Sequence, residues 1–325
     1  MLYLKCNFLL PTLNPSGGVK VVKDYTKWLN DEGHDCLIYY PLVEKMKHWY
    51  GNEDYTSAYI SHRGIRDADV TLATSWDTAR KVMDLPEVCG EKVYFIQHYE
   101  KVFDDRAVKT YDYPLFQIVV SHWLFNTIYT LHNKTPYIVE NGIKLPSGVY
   151  KDAGKHTLKV LMPWRQEEWK GTDFGVAAIE EVHSKHPDVE FHVFGWNVKG
   201  VPRFIHAHNN PTDKEVHGLM YNADIFLNPT TIEGFGLPSL EAMARMCAVV
   251  TTNVGAVPEY TEGGLYACVV EPYDVKGMVR ELNSLIENPS VMRGYQTVGY
   301  EVSKRWSFDL AAKRFESCLK SLVQS

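Results

Sequence analysis

Two glutamates share the stretch TTIEGFGLPSLEAMA, residues 230–244. Glu233 stands before Gly234-Phe235-Gly236, Pro238 follows, and Glu241 closes the pattern. A carboxylate can accept both hydroxyls of a sugar diol. Free backbone amides at the start of a helix attract phosphate or dense hydroxyls. Pro238 suits the first helical position, where a missing N–H costs nothing. A helix beginning near Leu237 would present the amides of Gly234, Phe235, Gly236 and Leu237, and the glycines permit positive φ and close approach to a ligand. The competing reading is an ordinary strand-to-helix turn, in which Glu241 only complements the helix dipole. Paired carboxylates alone are also compatible with a glycoside hydrolase.

Two further stretches carry chemistry. LKVLMPWRQEEWKGTD places Arg165 and Lys170 between an apolar run and a helical one. Two cations beside a helix start can neutralise a diphosphate without a metal, although Glu167 and Glu168 would equally suit a solvated loop. NPSGGVK puts Gly17 and Gly18 at the opening of the first helix, where a ligand or a plain turn would be accommodated.

These residues must be held by alternating elements. LYLKCNFLL, CLIYY, DVTLATSW, KVYFIQH, FQIVVSH and YIVENGI read as strands, with a helix in GGVKVVKDYTKWLN ended by Gly33. After KLPSGVYKDAGKH (144–156), a linker by its Pro, Gly and lack of apolar periodicity, the alternation restarts. LKVLMP, VEFHVFG, ADIFLNP, AVVTT and ACVV are the later strands, with helices near 172–186, 213–222, 275–287 and 308–323. Alternation implies an α/β protein with two doubly wound parallel sheets. In such sheets ligands bind beyond the carboxyl ends of the strands, where both Glu233 and Arg165 fall.

With those residues in view, the chain resembles retaining glycosyltransferase family 4, of the GT-B architecture. The specific part is the E-x7-E pattern from Glu233 to Glu241, followed by VVTTNVGAVPEY. Gly17-Gly18, the Arg165/Lys170 pair, YIVENGI and MYNADIFLNP match less specifically. The resemblance implies two Rossmann-like domains facing a cleft. Residues 1–145 would form the acceptor side and 150–306 the donor domain, with a final helix (308–325) packing back on the first. It further implies that Glu241 holds the nucleotide ribose, that Glu233 contacts the sugar beside the amides of Phe235-Gly236, and that Arg165 and Lys170 neutralise the diphosphate. His98, in YFIQHYE, would face the transferred sugar. The implied donor is a UDP-, GDP- or dTDP-sugar and the acceptor a hydroxyl on a glycan, glycolipid or small molecule. No cofactor or metal is implied, and a front-face reaction would need no protein nucleophile. Met246 and Ala248 stand in ARMCAVV where the family has Gly and Pro, and Thr74 where many relatives carry His. An epimerase or phosphorylase of the same architecture, or a silent nucleotide-sugar-binding subunit, is the alternative reading.

The remaining signals are bland. The net charge is −6 and neither half is basic, which removes the electrostatic reason to expect nucleic acid and leaves at most peripheral membrane contact. Six scattered cysteines with no C-x-x-C pair read as buried thiols in a reducing, cytoplasmic setting, and the apolar start reads as a core strand rather than a leader. Asp67-Ala68-Asp69 spells a metal-binding D-x-D but precedes its strand instead of following one. His206 and His208 have no third ligand nearby in sequence, and His183 and His186 end a helix; all four read as structural or surface residues.

Overall fold

In the computed structural model, residues 2–13, 16–41, 64–148 and 157–324 are described, with the backbone of 56–59. The expected linker therefore lies partly outside the described residues, at 149–156. The chain divides into two compact units: Met1–Gly142 with Asp309–Ser325, and Ile143–Phe308.

The first unit holds β1 (Lys5–Leu9), α1 (Gly17–Asp31), β2 (Asp35–Pro41), β3 (Thr56–Tyr59), β4 (Val70–Ala73), α2 (Trp76–Met83), β5 (Glu91–Ile96), β6 (Phe116–Val119), α3 (His122–His132) and β7 (Tyr137–Ile138). Its strands run parallel in the order β3-β2-β1-β4-β5-β6-β7. The second holds β8 (Lys159–Trp164), α4 (Thr172–Lys185), β9 (Glu190–Gly195), β10 (Ile205–Asn209), α5 (Asp213–Asn222), β11 (Ile225–Asn228), α6 (Leu237–Met243), β12 (Ala248–Thr252), α7 (Val257–Thr261), β13 (Cys268–Val270), α8 (Val275–Glu287) and α9 (Pro289–Ser303). Its order is β10-β9-β8-β11-β12-β13, again parallel. The second order reads 3-2-1-4-5-6, the Rossmann arrangement, and the first reads the same with a seventh strand added at its end, so each sheet has one switch point. These lie between β1 and β4 and between β8 and β11.

The local sequences explain the elements. β4, β11 and β12 are buried at every position, as parallel strands covered on both faces must be. Ser16 and Ser121 accept the amides of Val19 and Leu124 and so cap α1 and α3. The final helix, α10 (Phe308–Gln324), belongs to the first unit through Phe315, which stacks on Tyr25 with centroids 4.4 Å apart and meets Phe95 at 5.2 Å. The apolar patterns missed β10, whose HAHN run is mostly polar, and α9, which sequence reading did not register. All six cysteines are buried and unpaired. Asp69 accepts the Lys5 amide at 2.7 Å, giving that D-x-D a structural use between strands.

Beyond β5 the chain folds over its own sheet. The Glu100 carboxylate accepts the Trp76 amide at 2.7 Å and the Tyr94 hydroxyl at 2.8 Å, while the Glu100 amide donates to the Tyr111 hydroxyl. Burial, reinforced by nearby Asp77, pushes the Glu100 carboxyl up to about 7 against the two hydrogen bonds. Between the usual value of 4.5 and about 7 the unfolded chain ionises this group while the folded chain keeps it protonated. Stability is therefore present below that window and is lost as pH rises through it. Glu100→Gln, which retains an acceptor oxygen, should gain on the wild type across the window by on the order of 2 kcal/mol after allowance for solvent screening. Denaturant unfolding of both proteins from pH 4 to 8 checks this; parallel curves would contradict it.

Candidate functional site

The loops that follow β8 and β11 meet at the switch point of the second unit. After β8, Arg165 is exposed, and Thr172 clamps its backbone by accepting the Arg165 amide at 3.1 Å and donating to the Arg165 carbonyl at 2.7 Å. A single 3₁₀ turn, Glu168–Lys170, then leads into α4 through Gly171. Gly171 has φ +66°, and a Cβ there would lie 2.1 Å from the Pro229 carbonyl oxygen. Only glycine lets the two loops come this close. The Trp169 carbonyl accepts the Thr231 amide at 2.7 Å and the hydroxyls of Thr230 and Thr231 at 3.1 Å each. One loop is thus stitched to the other.

The stitch delivers the two charged residues to each other. Lys170 Nζ lies 2.7 Å from Glu233 Oε1, with side-chain exposures of 29% and 14%. The Arg165 guanidinium makes no ion pair among the described residues. Residues 63 positions apart are therefore joined into one site, which spacing in the sequence does not reveal.

Past Glu233 the chain turns into α6. Its first residue is Leu237, so Pro238 is the second helical position, not the first, and Glu241 falls in the second turn. Proline is tolerated there for the same reason, because the amides of the first turn have no helical acceptor. Gly236 takes φ +87° as the residue before the helix, facing the Tyr260 hydroxyl, which donates to the Gly236 carbonyl at 3.1 Å. Gly234 does not need positive φ. Among the described residues, none of the amides of Gly234, Phe235, Gly236 and Leu237 donates to another backbone group. The Phe235 ring is buried against Tyr260 and Trp306, at 5.9 and 5.7 Å, so only its backbone is available to a ligand.

Glu241 is partly buried, and its carbonyl accepts from Arg245 Nη1 at 2.8 Å. Arg245 is itself buried and lies over the Tyr221 ring at 6.0 Å. The turn after α6 survives the departure at Met246, which adopts φ +56°, a conformation that costs a non-glycine residue roughly 1–2 kcal/mol.

In the first unit, Gly17 and Gly18 open α1, and neither has positive φ. A Cβ at Gly17 would meet nothing within 4 Å, while the Gly18 carbonyl accepts from Gln97 Nε2 at 3.2 Å. Their value is space and contact rather than conformational freedom. His98 follows Gln97 beyond β5, half-buried between Phe103 at 4.9 Å and Trp123 at 6.3 Å. A surface pocket bordered by Thr157, His186, Asp188 and Glu287 sits at the amino ends of β8 and β9, the wrong end of the sheet for a switch-point site.

Residues 159–288, which include Arg165, Lys170, Glu233 and Glu241, match the family model for glycosyl transferases group 1. The chain is 33% identical over 95 residues to an MMP alpha-(1->4)-mannosyltransferase of Mycolicibacterium hassiacum, covering 29% of this chain and 23% of that protein. It is 27% identical over 169 residues to a glycogen synthase of Mycobacterium tuberculosis, covering 47% and 40%. The chain thus spans well under half the length of these curated relatives. Among solved structures, Anabaena HepE in complex with UDP-glucose superposes with a TM-score of 0.82 at 15% identity, over 98% of this chain and all of that one. A sucrose-phosphate synthase from Thermosynechococcus elongatus gives 0.80 at 13%, over 98% and 99%. The fold is that of the GT-B glycosyltransferases, and the part of the sequence that carries the resemblance falls within the matched residues 159–288.

Gly171→Ala should break the stitch, because it combines an unfavourable φ with a clash against Pro229. A loss of at least about 1–2 kcal/mol in chemical denaturation is expected. Unchanged stability would mean that the two loops are not held together as described.

Proposed function

We propose that the chain moves a sugar from a nucleotide-diphosphate donor to a hydroxyl acceptor, with retention at the anomeric carbon and without a divalent metal. The observation that carries this reading is the fastening of Lys170 and Glu233 into one site, in a loop that also carries Arg165, which makes no ion pair among the described residues, and near the amides of residues 234–237. That combination offers fixed positive charge and amide donors to a diphosphate, and a carboxylate to hydroxyls next to it. The family match over 159–288 supports the same reading.

In this proposal Arg165 and Lys170 take the diphosphate, Glu241 the ribose and Glu233 the sugar. The first unit takes the acceptor, Gly17 and Gly18 approach the donor, and His98 faces the transferred sugar. As the glycosidic bond breaks, negative charge grows on the leaving diphosphate, and fixed cations stabilise that state more than the ground state. The departing phosphate oxygen accepts the acceptor's proton, which spares the protein a nucleophile. HepE was solved with UDP-glucose, so UDP-sugars are the first donors to try. Among the described residues no helix is long and apolar enough to cross a membrane, and we place the reaction in the cytoplasm. Product analysis with and without an acceptor separates transfer from an epimerase or phosphorylase of the same fold.

Arg165→Ala should lower transfer about 10²–10³-fold, the usual cost of one preorganised charge-stabilising group, with the fold intact because the side chain is exposed. Arg165→Lys should recover only part, since the planar fork is lost. Glu233→Ala should lower turnover while nucleotide-diphosphate affinity stays nearly unchanged, whereas Glu241→Ala should weaken that affinity. Transfer is assayed with and without excess chelator. Loss of wild-type activity in chelator, together with a wild-type rate for Arg165→Ala without it, would overturn the proposal.

A further inference from the structure

Away from the switch point, at the open edge of the second sheet, three imidazoles share one face. His206 and His208 alternate with Ala207 along β10, and His192 on β9 lies directly across from His206 in the strand register. The His192 ring is 4.8 Å from that of His206 and 5.3 Å from that of His208. His192 Nδ1 and His208 Nε2 are 3.0 Å apart. On its other side, His192 Nε2 lies 3.3 Å from Glu190 Oε2, and Lys159 Nζ is 3.3 Å from the same oxygen.

We propose that this face binds a divalent transition-metal ion of the Zn2+ class. Two nitrogens each about 2.0–2.1 Å from one ion and roughly 95–110° apart are themselves about 3.0–3.4 Å apart. The His192–His208 separation, that of a hydrogen bond in this structure, falls within the same range, so the pair need not move apart or together to share one ion. The Glu190 carboxylate can only accept, so it holds the Nε2–H of His192 and leaves Nδ1 as a lone pair facing His208. A carboxylate behind a histidine is the usual outer support of a metal ligand. As the rings stand they hydrogen-bond and stack, and no set of three or more His, Cys, Asp or Glu among the described residues converges on one point. Two inexpensive changes bring them together. His208 moves its proton from Nε2 to Nδ1, a tautomer shift with no net loss of charge or proton. His206, which is exposed, turns about its side-chain bonds. Imidazole donors select Zn2+, Cu2+ or Ni2+ over the hard ions Mg2+ and Ca2+. The Lys159 ammonium opposes the ion but is itself engaged by Glu190.

The sequence signal was half present. His206 and His208 have the spacing of two ligands on one strand face, and His192 completes them only through sheet pairing.

The test uses the untagged full chain, stripped of metal, at pH 7.5. Zn2+ is titrated against a chromophoric chelator, and Co2+ absorption reports the coordination number. One Zn2+ per chain and a tetrahedral Co2+ spectrum are expected. His208→Ala and His206→Ala should each weaken binding at least 10-fold, and Glu190→Gln about 10-fold. Because His206 is exposed, its variant keeps the test valid should changes at His192 or His208 disturb folding. Zn2+ affinity unchanged in both His206→Ala and His208→Ala, or no ion retained by the wild type, would overturn the proposal.

Discussion

The second unit is organised around one carbonyl and one missing side chain. The Trp169 carbonyl gathers three donors from Thr230 and Thr231, and Gly171 lets the turn press against Pro229. Everything charged at the site inherits its place from that seam. Lys170 sits between these two fasteners in the chain, and Glu233 lies two residues beyond the donors. Their ion pair is part-buried, and its place follows from the backbone arrangement on either side of it. The backbone hydrogen bonds and the close contact supply the rigidity that a positioned charge requires.

The two sheets share one strand order and yet differ in what they place at their switch points. In the second unit the loops after β8 and β11 bring cations, carboxylates and free amides. In the first, the start of α1 brings Gly17 and Gly18 against Gln97, with aromatic rings and a protonatable carboxyl, Glu100, beyond β5. A topology repeated twice thus presents different residues at the carboxyl ends of its strands, because the strand order positions the loops and the loop sequences decide what they carry.

Much of the architecture was legible because parallel strands buried on both faces read as apolar runs, and β1, β8, β11 and β12 did so. In the candidate site, the turn from Glu233 into a helix starting at Leu237 was legible because Gly236 and Pro238 mark it within one short stretch. Connections made by sheet pairing or loop contact were not legible. Lys170 meeting Glu233 and His192 completing His206 and His208 are both of this kind. Polar edge strands also escape, since β10 exposes one face and lacks the pattern. Met246 shows a different limit. Its identity gives no sign of a left-handed residue, yet it takes φ +56° where its amide donates to the Met243 carbonyl at 3.0 Å.

The Lys170–Glu233 pair raises the question of whether a cation already engaged can serve an incoming diphosphate. An ammonium carries three N–H donors, and Glu233 Oε1 takes one of them. Two donors remain for phosphate oxygens, so ligand binding need not separate the pair. The carboxylate in turn keeps a second oxygen for sugar hydroxyls. Held this way, Lys170 brings net charge close to zero with Glu233, whereas the Arg165 guanidinium makes no ion pair among the described residues. In the proposed reaction the two cations would therefore not be equivalent. Lys170 would align Glu233 and donate hydrogen bonds, while Arg165 would set the field that a departing diphosphate feels.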